Sequence, residues 1–220
     1  MALTKFNFNS FDVTTAASKG LGFNASANAF ATIDSTAVVL IKTLTASSSA
    51  TLSFVDGSSD VVLDNTYPVY RFVYTQLHPA SSGVRFEFNM STDSGSNYNV
   101  AKTSTFFEAY HNESGSAQTL ATESGDDLAQ GTGFQPLVRN FGNDNDQCAS
   151  GELYLFNPSS TTFVKQYMSQ SSGTHESDYN LHEFVGGYGN TTSAVDAVQF
   201  KMGSGNIDSG TIKLYGIKDS

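Results

Sequence analysis

The two apolar runs nearest the C-terminus constrain this chain more than any other stretch. Residues 194–202 read Ala-Val-Asp-Ala-Val-Gln-Phe-Lys-Met, and residues 211–217 read Thr-Ile-Lys-Leu-Tyr-Gly-Ile. Apolar and polar residues alternate in both, which puts the apolar ones on one face of an extended strand. Between them lies Gly-Ser-Gly-Asn-Ile-Asp-Ser-Gly, residues 203–210, a cluster of turn chemistry. The pattern predicts a β-hairpin that closes a compact β fold. A run rich in Ile, Leu and Tyr must lie inside a sheet, because an uncovered strand of that composition would pair with other chains.

The same alternation recurs upstream. Strands are predicted at 36–45, 51–55, 69–77, 84–90, 103–110, 151–156 and 162–168, besides 194–202 and 211–217. Val84, Phe86, Phe88 and Met90 share one face of their strand, and Tyr70, Phe72 and Tyr74 share one face of theirs. Glu152, Tyr154 and Phe156 alternate with Leu153 and Leu155, as in a strand covered on both faces. No helical pattern is long enough to carry a parallel crossover. Ser and Thr make up roughly a quarter of the 220 residues, with 19 Gly and only 15% charged residues, a composition that favours strands and turns over helices. The expected fold is all-β: an antiparallel β-sandwich of jelly-roll type. Residues 111–150 are polar and Gly-rich, and are expected to hold long loops with one or two strands.

Residues 1–32 stand apart as an N-terminal arm ahead of a sandwich spanning 33–220. Phe6, Phe8, Phe11, Phe23 and Phe30 are scattered among Asn, Ser, Thr and Ala with no lasting period, and 13–20 could form a short helix. Such aromatics suit docking into pockets of a larger assembly, or wrapping of the arm around its own domain. Polar residues interrupt the first twelve positions, so no signal-peptide apolar region is expected. No run approaches membrane-spanning length. With a net charge of −10 and a pI near 4.6, the chain lacks the basic clusters that nucleic-acid backbones and anionic membranes require.

Motifs that carry chemistry are sparse. The lone Cys148 supports neither an intrachain disulfide nor a cysteine zinc site. The four histidines fall in no zinc-ligand spacing. His175 and His182, with Glu176, Asp178 and Glu183, come nearest to a ligand cluster and read as a solvated acidic loop, and residues 186–189 read as a loop cluster of glycines. Asp93 to Asn97, Asp126-Asp127 and Asp144 to Asp146 resemble calcium loops in composition, but none completes the twelve-residue pattern. Glu87, Glu108 and Glu152 lie on predicted strands, where a glycosidase would carry its two carboxylates. They occupy outward polar positions as readily as a cleft. The expectation is therefore no catalytic residue, no metal and no cofactor. Tyr98, Tyr110, Tyr179 and Tyr188 sit in or beside Asn-, Asp- and Gly-rich loops and are candidate glycan contacts.

Four segments also carry a likeness. Residues 197–217, Val69-Tyr-Arg-Phe-Val-Tyr, Phe88-Asn-Met-Ser-Thr-Asp-Ser-Gly-Ser-Asn-Tyr and Gly151-Glu-Leu-Tyr-Leu-Phe-Asn-Pro resemble a family of β-rich virion proteins of tailed bacteriophages, particularly marine and cyanobacterial ones. The likeness spans about residues 36–220. It implies a non-enzymatic particle-surface protein, of tail-fibre, tail-associated or capsid-decoration type. Its partners would be other virion proteins and copies of itself, a trimer by analogy. The family supplies no catalytic residues. A receptor-binding module for host-surface glycans is the alternative, and a polysaccharide depolymerase a more distant one.

Overall fold

The computed structural model describes residues 20–23, 26, 30–33 and 37–219. The chain divides into two compact units, residues 1–37 with 220, and residues 38–219. In the first, β1 (Gly20–Phe23) pairs antiparallel with β2 (Phe30–Ile33). Phe6, Phe8, Phe11 and nearly all of the helix expected at 13–20 lie outside the described residues, and Gly20, the last residue of that stretch, opens β1 instead.

The second unit is built from β3 (Val38–Thr45), β4 (Thr51–Val55), β5 (Val69–Pro79), β6 (Val84–Ser91), β7 (Lys102–Asn112), β8 (Gln118–Thr122), β9 (Ala129–Gly131), β10 (Gln135–Phe141), β11 (Ala149–Phe156), β12 (Lys165–Thr174), β13 (Tyr179–Gly189), β14 (Ala197–Met202) and β15 (Ile207–Ile217). A four-stranded sheet in the order β10-β6-β14-β4 packs on a larger one in the order β3-β15-β5-β11-β12-β13-β7-β8, with β9 also on β7. Every named pairing is antiparallel. The expected sandwich is present, with one layer much wider than the sheets of an eight-stranded jelly roll.

The closing segment differs from its sequence reading. β14 and β15 do not form a hairpin. β14 pairs with β4 and β6 in the small sheet, and β15 with β3 and β5 in the large one. The apolar faces of the two strands meet across the core: Val198, Phe200 and Met202 on one side, Ile207, Ile212 and Leu214 on the other, all buried. Alternation fixes which residues turn inward, but it is identical for a hairpin and for an arch that changes layer.

β13 is a second correction. Tyr179–Gly189, read as acidic loop and glycine cluster, is an eleven-residue strand between β12 and β7. Residues 111–150 hold three strands beyond the end of β7, and the strand expected at 162–168 begins three residues later and runs to Thr174.

Phe200 is the centre of the core. Its ring lies 5.4 Å from Phe72, 5.6 Å from Phe86, 6.2 Å from Phe54 and 6.4 Å from Phe88, centroid to centroid. Tyr74 reaches from β5 to the hydroxyls of Ser169 and Ser171 on β12, which satisfies its buried OH. Among the described residues two lysines are wholly buried: Lys102 on β7 and Lys165 on β12, both in register with Gly189. Lys102 Nζ donates to Asn89 Oδ1 (2.5 Å) and the Val100 carbonyl (2.8 Å). Lys165 Nζ donates to the carbonyls of Ser160 and Phe163. The ammonium groups thus hold the loops at this end of the sandwich closed.

A bulge runs through β15, β5 and β11. Gln76 has φ 49° and Gly210 φ 111°, the pairing register shifts on both sides of β5, and the Gln76 N–H is satisfied by Ser150 Oγ. At Gly210 a Cβ would fall 2.6 Å from the Gln76 carbonyl oxygen and 2.8 Å from Leu77 Cα. Only glycine fits this crossing.

Candidate functional site

Strand geometry places the three nominated glutamates on three different surfaces. Glu87 lies between buried Phe86 and Phe88, so it faces away from the core on the small sheet, where Lys201 Nζ stands 4.0 Å away. Glu152 lies between Gly151 and buried Leu153 on the outer face of the large sheet. Glu108 shares the inner face with buried Phe106. They do not converge on a cleft as a pair of glycosidase carboxylates must.

Glu108 instead joins an ionic cluster that reaches from the core to the surface. Arg139 of β10 reaches Glu123, Asp126 Oδ2 (3.5 Å) and Glu108 Oε1 (3.6 Å), and Arg85 Nε donates to Asp126 Oδ1 (2.6 Å). Glu183 of β13 stands directly across from Glu108. It is fully buried, and its Oε1 accepts the Arg139 backbone N–H (2.8 Å). Its Oε2 and Glu108 Oε2 are buried without hydrogen-bond partners. Burial raises the Glu183 carboxyl well above the ordinary range; the nearby Glu108 adds to this, while the Arg139 N–H and guanidinium oppose it. Burial also raises Glu108, against the pull of Arg139. With Glu183 closed to solvent, the cluster ties β7, β13 and β10 together and offers that carboxyl no path to a substrate. Sequence reading placed Glu183 in a solvated loop, and only its cross-strand position beside Glu108 reveals its role.

Two of the acidic turns are held by their own chain. Asp93 accepts from the Ser91 hydroxyl and from the side-chain and backbone N–H groups of Asn97, which hold its carboxyl down at about 2. Asp127 Oδ1 accepts the Phe106 N–H. Among the described residues no group of three or more His, Cys, Asp or Glu is placed to hold a metal ion.

Of the four nominated tyrosines, the structure brings two together. Tyr110 and Tyr179 stack with centroids 5.5 Å apart, and His175 stacks on Tyr179 at 5.2 Å. Burial, reinforced by the Arg139 charge, lowers the His175 imidazolium below its usual range, with Glu176 opposing. Beside this stack lies a cleft of about 380 Å³ lined by Asn112, Asp178, Asn180 and their neighbours. Tyr98 and Tyr188 lie elsewhere. The Tyr98 carbonyl accepts from Asn89 Nδ2, and the Tyr188 hydroxyl accepts from Gln130 Nε2.

A second cleft, also about 380 Å³, lies over β5, β11, β12 and β13, lined by Thr75, Ser150, Glu152, Gln170, Ser172 and His182 among others. Register places Val73, Glu152, Gln170, Phe184 and Phe107 in one row across five strands, and Arg71, Tyr154, Met168 and Gly186 in the adjacent row. Arg71 Nε donates to Glu152 Oε2 (2.7 Å), and its guanidinium lies 5.6 Å from the Tyr154 ring centre. Gln170 Nε2 donates to His182 Nε2 (2.9 Å). Phe184 stacks on Phe107 at 4.9 Å and meets His182 edge-on at 4.7 Å. Of these side chains, sequence reading weighed only Glu152 and His182 for any chemistry. The available signal was the outward set 166, 168, 170 and 172 alternating with inward Tyr167, Ser169, Ser171 and Gly173.

In the smaller unit, Phe23 and Phe30 stack at 5.1 Å yet remain 63% and 43% exposed, beside Leu21 at 55%.

Compared with known proteins, the chain matches no family model, no curated protein and no solved structure.

Proposed function

We propose that this chain is a non-enzymatic structural protein of a tailed-bacteriophage particle, carried on the particle surface as a tail-fibre, tail-associated or capsid-decoration component. The observation that carries this reading is the β1–β2 pair, which presents Leu21, Phe23 and Phe30 to solvent in a unit separate from residues 38–219. Monomeric soluble domains rarely expose aromatics clustered this way, and such clusters serve as anchors in partner pockets. The sandwich supports a durable displayed body, with its interlocked layers and a core filled by aromatic rings. The resemblance of residues 36–220 to β-rich virion proteins supports the particle context, with other virion proteins and copies of this chain as partners.

The test is deletion of residues 1–37 together with the double substitution Phe23→Ser and Phe30→Ser, followed by purification of particles. Both variants are expected to fold, with a cooperative unfolding transition like that of the full chain, and to be absent from particles. Incorporation at the wild-type level would remove the docking role. Loss of the cooperative transition in the deletion would assign the arm to the core of the fold.

A further inference from the structure

We propose that the outer face of the large sheet is a binding site for a neutral polysaccharide, a function distinct from docking through the β1–β2 unit and resting on none of its residues. The cleft over β5, β11, β12 and β13 is lined mainly by hydrogen-bonding side chains. Thr75 and Ser172 offer hydroxyls, and Gln170 is exposed. The contact between the Gln170 amide and His182 Nε2 uses one end of the amide and one ring nitrogen, and leaves the other end of the amide and His182 Nδ1 for a ligand. This mix of donors and acceptors within one cleft matches the hydroxyls of a sugar ring, each of which both donates and accepts.

Charge selects among hydroxylated ligands. The one carboxylate that lines this cleft, Glu152, is already neutralised by Arg71 across two strands, and the next cation along the row, Lys213 of β15, lies beyond Val73. A phosphate or uronate seated in the cleft would have to approach Glu152 or pull Arg71 from it, and a cation would have to pull Glu152 from its guanidinium. An uncharged chain disturbs neither. Aromatic and apolar side chains bordering the cleft supply the other half of the recognition. Phe184, held upright by Phe107 and His182, lies beside the polar cleft, and Tyr154, Phe156 and half-exposed Met168 continue it. Gly186 follows in the Met168 row with nothing within 4 Å of where a Cβ would stand, so the surface beside Phe184 and Met168 is open. Sugars bind through their C–H faces on such rings and through hydroxyls at polar neighbours.

The test is native gel electrophoresis of the full chain through gels containing dextran, laminarin, mannan or galactan, with alginate as the anionic control. At least one neutral polymer is expected to slow the protein, and alginate is not. Gln170→Ala, at an exposed position that leaves folding intact, is expected to weaken the retardation at least tenfold, and Phe184→Ala likewise. The deletion of residues 1–37 retains it, which separates this site from the docking arm. Free migration in every neutral gel overturns the proposal, as does equal retardation by alginate or full retardation of Gln170→Ala. Light scattering that shows self-association lost on Met168→Asp would instead assign the face to a second copy of this chain.

Discussion

Replacing Glu183 with glutamine tests whether a buried acid is carried into the fold as a neutral group. Glu183 is wholly buried, with one oxygen on the Arg139 N–H and the other unpartnered opposite Glu108. Burial raises its folded-state carboxyl well above 4.5. An acid raised in this way contributes its full stability below the unfolded-state value, about 4.3. It loses that stability as pH climbs, because the unfolded chain has released a proton the folded one retains. The loss is about 1.4 kcal/mol per pH unit and levels off once the folded-state value is passed. Glutamine cannot ionise. Its carbonyl keeps the Arg139 N–H, and its NH2 stands where Oε2 had no partner, within cross-strand reach of Glu108. The stability difference, variant minus wild type, should therefore be small near about pH 4.5 and climb by about 1.4 kcal/mol per unit above it. Urea titrations at about half-unit pH steps read this directly. Because Lys102 has the opposite slope, the difference curve is the diagnostic quantity and the wild-type profile alone is not. A flat difference between about pH 5 and about pH 8, or a variant weaker than wild type at the upper end, would refute the neutral-acid reading. Glu183→Leu is the contrasting change. It strands the Arg139 N–H and should cost about 1–3 kcal/mol.

Two further outcomes follow from the same structure. Burial lowers the Lys102 ammonium to about 7, so wild type should gain on Lys102→Met as pH rises from about 7 towards about 10.4, at about 1.4 kcal/mol per unit. Equal slopes for the two proteins in urea titrations would show that Lys102 is charged throughout. Gly210→Ala should cost on the order of 3 kcal/mol through its φ and its collision with β5 backbone. Gly57→Ala, at φ 72° with open space around it, should cost about 1 kcal/mol, and comparable urea midpoints for the two would deny the bulge its steric basis.

Legibility in the sequence followed how cleanly a strand separates its two faces. β6 was plain because Val84, Phe86 and Phe88 face the core while Arg85 and Glu87 face out. β13 was hidden because neither face is uniform. Leu181, Glu183 and Val185 point inward, with the carboxylate serving the ionic cluster, while His182, Phe184 and Gly186 point outward, with the aromatic serving an apolar surface. Alternation cancels when the core accepts a charge and the outside accepts a ring. The Tyr110–Tyr179 stack was half-legible: both residues were singled out, but nothing local shows that Leu181 pairs with Tyr110 and Tyr179 with Asn112. The closing strands were legible as strands and not as partners, because pairing is a property of the layers rather than of the run.

The separation of β14 from β15 also sets a timetable for synthesis. Among the described residues, β3 is joined to the large sheet only through β15, and β4 to the small sheet only through β14. The earliest strands of the sandwich therefore have no lasting neighbours until residues 197–217 have emerged from the ribosome. At cellular elongation rates the wait is roughly 8–30 s, long against hairpin formation at roughly 1–10 μs. Throughout it the apolar run Ala37-Val-Val-Leu-Ile41 is an open strand edge on a nascent chain.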